Sequence, residues 1–434
     1  MHEEPGTATR PPAAPSASAA GPDAAAAQAG ADTAAAQAGA DAAAAQAAGA
    51  GAAAAQAAGA DTAATADDAF GADLYRLLTE GASDSVFSPV SVASALRMAL
   101  CGARGQTAAE LAGVLHGSPD GAAEGLRAVS ATVRDLAAGG SVTFRAPSTV
   151  WVQSGLPLRP GFTAELRAAA AAAVADVDFA RAAEAARNEI NGVIAEQTGG
   201  KITGLLPPHS IDAATRLVLT SAIYLKAAWA APFPDDATRD APFYPDGPGG
   251  PALDVRMMRG TAARAYRQGD GYQAVVLPYR DGALAMAVVL PDGPLAALRP
   301  AIAAGGLRGL LTGTSRYQVT LSMPRFRLEA AFDLIPALKR LGVAEAFTPR
   351  ADFSGITEAG RLRINAVAHK AYVDVDEQGT EAAAATGAVF QMLAVVQTPP
   401  PVTMIVDRPF LFAIIHTPTG LPLFVGQVSH PRSP

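Results

Sequence analysis

The stretch Glu377-Gln378-Gly379-Thr380-Glu381-Ala382-Ala383-Ala384-Ala385-Thr386 decides how the rest of the chain is read. In a β-strand Thr380, Ala382, Ala384 and Thr386 would face one side, and Glu381, Ala383, Ala385 and Gly387 the other. The first face carries no charge, so it can be buried without desolvating an ion. A run of such small side chains just ahead of an apolar segment is suited to moving. The ten residues alone leave a second reading open. Alanine is the best helix former and Thr380 a fair N-cap, so they could begin a short helix. Their surroundings tip the balance towards the strand.

Working outward, no Lys or Arg occurs between Lys370 and Arg408, and Pro399-Pro400-Pro401 stiffens the far side of the segment. Upstream of Trp229 helical patterns dominate: two helices between 68 and 102, then segments near 106–115, 121–138, 162–175 and 183–197, with strand-like runs at 141–152 and 215–225. Beyond Trp229 the pattern changes to strands, at 253–259, 272–279, 283–290, 316–328, 362–375, 402–406, 410–416 and 421–427, interrupted by helical segments at 295–312 and 330–341. A helix-rich first part and a strand-rich second part predict an α+β domain with large, mostly antiparallel sheets.

Residues 1–66 contain no Val, Ile, Leu, Phe, Trp or Tyr, and Gln28, Gln37, Gln46 and Gln56 mark an imperfect repeat. Such a segment cannot offset the entropy of ordering by burying large side chains, so it reads as a disordered tail, with a helical Ala-Gln stalk as the alternative. The tail holds six acidic residues against Arg10, or −5 of the chain's −7, which leaves the remainder, 67–434, near neutral. Nucleic acid and anionic membranes are therefore not expected as partners. No turn-rich linker divides 67–434, which reads as one domain. The single cysteine, Cys101, cannot form an internal disulfide and reads as a small buried residue. No apolar stretch reaches the length of a membrane span, and the first thirty residues lack the basic flank and apolar core of a secretory signal.

Enzyme signatures are missing. There is no nucleophile elbow, no zinc-binding His-Glu pair, no Gly-Lys-Ser phosphate loop and no dinucleotide glycine fingerprint, and the six histidines lack metal-ligand spacing. Gly247-Pro248-Gly249-Gly250-Pro251 sits between strands without a following helix and reads as a turn. No cofactor or metal is expected.

Several motifs fall in an order that resembles the serpin family of protease inhibitors, from about residue 70 to 431. They are Val86-Phe87-Ser88-Pro89-Val90-Ser91, Ile190-Asn191 through Gly200-Lys201-Ile202, Leu217 to Trp229, Leu277-Pro278-Tyr279, Met323-Pro324-Arg325-Phe326, Ala351-Asp352-Phe353-Ser354-Gly355-Ile356, His369-Lys370-Ala371, Pro409-Phe410-Leu411-Phe412 and Leu421-Pro422-Leu423-Phe424-Val425-Gly426. The opening stretch resembles the hinge of inhibitory members. The resemblance implies three sheets, about nine helices, and a reactive-centre loop above a five-stranded sheet that accepts a sixth strand. It also implies a covalent complex with a target serine protease, with cysteine proteases as secondary targets and the inhibitor itself a monomer. Reactive-loop insertion in serpins is an established instance of strand addition and switching. An extracellular protein is suggested in the same way. Heparin is not an expected partner, because 106–138 offers only Arg127 and Arg134 as Lys or Arg.

The resemblance assigns the hinge to Glu377, Gly379, Thr380, Glu381, Ala382, Ala383, Ala384, Ala385 and Thr386, with Glu377 paired to Arg325. Trp229 corresponds to the tryptophan packed where the loop enters the sheet. Ser88, Ser91 and His369 resemble the hydrogen-bonded cluster beneath strands that must part; a satisfied buried histidine without regulatory role is the plainer reading of His369. Ser221 stands where the family usually has asparagine, and Ala227 where glycine is usual. Counting along the loop gives Leu393-Ala394 as the scissile bond, with Phe390, Gln391, Met392 and Val395 as neighbours. A large apolar residue there suits chymotrypsin-, elastase- or subtilisin-like enzymes. A strand from Thr380 to Leu393 would span roughly 45 Å. About ten new ladder hydrogen bonds would contribute on the order of 10 kcal/mol, so the uncleaved fold is expected to be metastable.

Overall fold

The computed structural model describes residues 62, 64–81, 84–138, 142–169, 173–381 and 400–432. These all fall in one unit, Ala58–Pro434. The tail up to residue 61 lies outside them, as does 382–399, which holds Ala382 to Thr386 of the hinge and Phe390 to Val395 around the expected scissile bond.

In chain order the elements are α1 (64–78), β1 (Ser85–Phe87), α2 (Pro89–Gly102), α3 (Gly105–Val114), α4 (Ala122–Ala138), β2 (Val142–Arg145), β3 (Ser148–Gln153), α5 (Pro160–Ala169), β4 (Ala173–Val177) and α6 (Phe179–Gln197). They continue with β5 (Leu217–Ala228), β6 (Arg239–Phe243), β7 (Leu253–Gln268), β8 (Tyr272–Pro278), β9 (Leu284–Pro291), α7 (Arg299–Gly309), β10 (Ser315–Pro324), β11 (Phe326–Asp333) and α8 (Ile335–Arg340). The last are β12 (Ala366–Val375), β13 (Gly379–Thr380), β14 (Val402–Ile405), β15 (Phe410–His416) and β16 (Leu421–Val428).

The α+β class holds, with eight α-helices among the described residues. The three expected sheets are joined into two ladders. One runs β1-β16-β15-β9-β8-β7-β10-β14 with β6 on β7; the other runs β11-β12-β13-β5-β3-β4 with β2 on β5. The joint is β7, whose residues Met257–Tyr266 pair with β10 while Ala265–Gln268 pair with β8. Its second half is longer than the expected 253–259, because Gly260, Thr261, Ala262 and Ala263 give no apolar alternation to read. The run 316–328 is two strands, not one. After Pro324 the chain leaves β10 and enters β11 in the other sheet, and β11 continues to Asp333, into the span expected to be helical. The expected helix 162–175 likewise ends at Ala169 and gives way to β4.

In the second ladder β2 and β3 are one strand in register on β5, interrupted at Ala146-Pro147. Counted that way, it has five full strands and the two-residue β13. β5 is buried over nearly its whole length, as befits a strand covered on both faces. On one side lies a core shared by both ladders, including Trp229, Phe326, Val375, Phe410 and Phe412. On the other α6 packs Ile190 and Ile194 on Val218, Ala222 and Ala368. Helix α1 begins ahead of Asp67, with Ala64 buried, and Asp67 is locked to Arg97 of α2 by two contacts of 2.7 and 3.2 Å.

Candidate functional site

The sequence-predicted residues that the structure describes gather at two places along the seam between β5 and β12. At the first, Gly379 and Thr380 stand as a strand between the two. Thr380 is antiparallel to Val375 of β12, while Gly379 and Thr380 are antiparallel to Ala228 and Ala227 of β5. The turn that delivers them is set by Asp376, whose carboxylate accepts from the amides of Gln378 and Gly379 at 2.8 and 3.1 Å. Gly379 has a φ of 155°, and a Cβ there would lie 2.1 Å from the Ala227 carbonyl oxygen, so only glycine passes.

Thr380 is fully buried, and its hydroxyl meets the Tyr279 hydroxyl at 2.6 Å. The Tyr279 ring stacks on Trp229, with centroids 4.5 Å apart and planes inclined by 16°. Trp229 donates its ring nitrogen to the Asp376 carbonyl at 3.0 Å and its amide to Gln378 at 2.9 Å. It thus serves as core and as a clamp on the turn. Glu377 is 97% buried by side chain and accepts from Arg325 through two nitrogens, at 2.7 and 2.6 Å, and from the Thr238 hydroxyl at 2.5 Å. Burial opposes its charge, but the hydrogen bonds from Arg325 and Thr238 outweigh that and hold the carboxyl below its ordinary range. Glu381 follows at a φ of 49°, left-handed for a residue with a Cβ, and turns its carboxylate to Lys201.

About 20 Å further along β5, the second place holds Ser221, His369, Ser88 and Ser91. His369 and Ser221 are paired across the directly bonded part of the seam. The Ser88 amide donates to His369 Nε2 at 2.9 Å, so the neutral ring carries its proton on Nδ1 and donates to Ser221 Oγ, also at 2.9 Å. Serine makes the link at this position. Burial drives the His369 pKa down to about 3, with the Ser221 contact opposing. Ser88 is also the N-cap of α2, accepting from the Ser91 amide at 3.2 Å ahead of Pro89. Ser91 Oγ has no partner, and the Ser91 carbonyl accepts from Ser148.

Sequence reading missed Tyr279, Thr238, Asp376 and Lys201 as members of this site. Tyr279 and Lys201 lay inside quoted motifs, but nothing local marked their contacts. Cys101 is buried, and burial pushes its thiol up to about 12, which suits a core residue. Gly247 and Gly249 sit in turns at positive φ. Among the described residues no cluster of three or more His, Cys, Asp or Glu could hold a metal, and no helix is long and apolar enough to cross a membrane.

A sequence model of the family described as Serpin (serine protease inhibitor) matches residues 65–431. The leukocyte elastase inhibitor of Bos taurus is 35% identical over 378 residues, covering 85% of this chain and 99% of that protein. Among solved structures, Serpin48 of the insect Tenebrio molitor, described as a highly specific serpin, superposes with a TM-score of 0.75 at 29% identity, over 85% of this chain and 98% of that one. Human thyroxine-binding globulin in complex with thyroxine gives 0.77 at 26% identity, over 86% and 100%. These relatives lend no support to the extracellular placement.

Proposed function

This chain belongs to the serpin family, and from that premise we propose that it is a suicide inhibitor of serine proteases with apolar specificity. The target's serine oxygen attacks the Leu393 carbonyl, the bond to Ala394 breaks with its nitrogen leaving as a protonated amine, and an acyl-enzyme remains. The freed strand then enters between β5 and β12 and carries the enzyme with it. Glu377, Gly379 and Thr380 act as the hinge, Trp229 and Arg325 fix its entry, and Ser88, Ser221 and His369 hold the part of the seam that must open, with Ser91 supporting them through its amide on the Ser88 hydroxyl.

The observation that supports this reading is the place of β13 between the two strands, Thr380 pairing with both β12 and β5 and Gly379 with β5. Continued residue by residue in that register, the strand would bring Thr386 between Ser221 and His369, which are already opposite one another. The face of Thr380 points into the core, and in a strand continued in that register Ala382, Ala384 and Thr386 would share it by alternation. The leukocyte elastase inhibitors among the relatives favour an elastase-like target, and Leu393 with Ala394 suits one. Cysteine proteases are secondary targets, and the inhibitor acts as a monomer without a cofactor.

The rival reading is a carrier, as the likeness to thyroxine-binding globulin would allow. A hinge of small residues in the sequence, with Gly379 and Thr380 already paired in the sheet, favours the inhibitor. The test is to mix the protein with elastase, chymotrypsin and subtilisin and run denaturing gels. A covalent adduct is expected. Plain cleavage with every enzyme, or equal melting temperatures for intact and nicked protein, would overturn the trap.

A further inference from the structure

We propose a binding site for a small, flat carboxylate, of the chemical class of an aryl acid, in a cavity of about 580 Å³ beside the Phe410 and Val428 ends of β15 and β16. Phe410 and Val428 pair with one another at the end of this hairpin opposite its turn at 417–420. None of the lining residues belongs to β5, β12 or β13, so the site needs neither the seam nor a protease.

Four prolines reach this cavity from three separate connections: Pro245 and Pro248 between β6 and β7, Pro294 between β9 and α7, and Pro409 ahead of β15. Each ring fixes its own backbone φ, so these walls stand before a ligand arrives, and they offer flat apolar faces. The glycine-proline turn at 247–251, which inhibition leaves unused, belongs to one wall. Its entry is pinned where the Tyr244 amide donates to the Asp407 carbonyl at 2.7 Å, and Gly247 and Gly249 close it at φ of 93° and 94°. On the buried side the Tyr75 hydroxyl donates to Gln427 Oε1 at 3.0 Å. Burial holds that phenol protonated, above its ordinary range, so the pair persists at any physiological pH.

The polar groups left for a ligand are cationic. Arg408 is 15% exposed by side chain and is fixed through Nε on the Pro291 carbonyl at 3.0 Å and Nη1 on Asp407 at 2.9 Å, which leaves Nη2 without a hydrogen bond among the described residues. Arg299, at the start of α7, has neither a hydrogen bond nor an ion pair among the described residues. Its field reaches Glu80, but that carboxylate is already taken by Arg340 at 2.7 Å. The one carboxylate lining the cavity, Asp246, is exposed to water on the turn, where its charge is screened. Two guanidiniums on one apolar, preformed cavity suit a carboxylate, which accepts from their planar N–H groups in pairs, while the proline faces take a flat body.

Titration calorimetry of the full chain with indole-3-acetate reads the site directly. Saturable binding at one site is expected, with Kd on the order of 0.1 mM for so small a ligand. Indole-3-acetamide, which keeps the shape and lacks the charge, should bind about tenfold more weakly. Arg299→Ala should cost the acid about the same factor and the amide little, and Arg299→Lys should recover part of the loss. Ala296→Trp keeps both arginines and fills the cavity, and should abolish binding of acid and amide alike. Arg299 and Ala296 are exposed, so both alanine and tryptophan variants should melt with the unmodified protein. Absence of saturable binding, equal affinity for acid and amide, or full affinity in Arg299→Ala or Ala296→Trp overturns the site. Octanoate bound as tightly as the indole acid overturns the flat body.

Discussion

Strands β5 and β12 run side by side, yet from Ala366 to Tyr372 they bond directly to one another, while at Val375 and at Ala227-Ala228 a third strand stands between them. The two ends are held by different chemistry. The parted end rests on charges and aromatic faces: Glu377 with Arg325, Glu381 with Lys201, and Tyr279 on Trp229. The closed end rests on a parallel ladder and a neutral imidazole whose two nitrogens are both satisfied. Under the proposed insertion, the parted end holds the first two residues of the new strand, and lengthening it requires the closed end to part.

The strongest way to break this contrast is to stop the strand at its first buried side chain. Thr380→Arg would place a guanidinium where the native residue is fully buried against Tyr279. An unpaired buried charge costs several kcal/mol, enough to cancel much of the gain from insertion. The variant should be cleaved as an ordinary substrate, with no adduct resistant to SDS. An adduct at the unmodified yield would mean that Thr380 does not enter the sheet.

Next in size is Arg325→Gln, which leaves the Glu377 carboxylate buried with Thr238 as its remaining side-chain partner. Removing one member of a buried pair costs about 3 kcal/mol or more, and Arg325, partly exposed, belongs at the low end. Denaturant unfolding should show that loss in the midpoint with an unchanged slope. A shift below 1 kcal/mol would make the pair incidental to the parted end.

Much of this was legible in the sequence. The alternation from Thr380 onward predicts a strand with an uncharged inner face; Thr380, the described member of that face, is buried in the intact chain, and Ala382, Ala384 and Thr386 lie outside the described residues. Arg325 and Glu377 were pairable because both lie in motifs with a fixed place in the family. What could not be read is contact across distance. Tyr279 meets Thr380 from 101 residues away, Thr238 meets Glu377 from 139 and Lys201 meets Glu381 from 180, and no local period encodes such meetings. The break between β10 and β11 escaped for another reason: apolar residues continue on both sides of Pro324, so hydropathy shows one strand where the chain changes sheets.

Acid sharpens the contrast from the closed end. An unfolded histidine titrates near 6.5, and native His369 only near 3. Between those values the unfolded chain takes up a proton that the native state refuses, so stability is complete above about 6.5 and falls as the pH drops through this window. At pH 5 the loss should be about 2 kcal/mol. Glu377, whose pKa is lowered, acts in the same direction but only below its unfolded value near 4.5. Thermal melts at pH 7.5 and 5 should therefore separate the two ends: His369→Asn should flatten the upper part of the profile and leave the acid limb. A profile identical in the variant would remove His369 from the closed end.

The smallest effect is the most discriminating. Tyr279→Phe removes one hydroxyl and keeps the ring on Trp229, so the aromatic packing of the parted end survives. The Thr380 hydroxyl then loses its partner at 2.6 Å at a fully buried position. A lost buried hydrogen bond of this kind costs about 1 kcal/mol. If the two ends are separate, that loss appears as faster amide exchange at Thr380 and at Trp229, whose amide bonds to Gln378, while the Ser88 amide on His369 keeps its protection. If both sets of amides quicken together, the seam opens as one cooperative unit. In that event the two residues of β13 are no separate nucleus, because loosening them already loosens the ladder below.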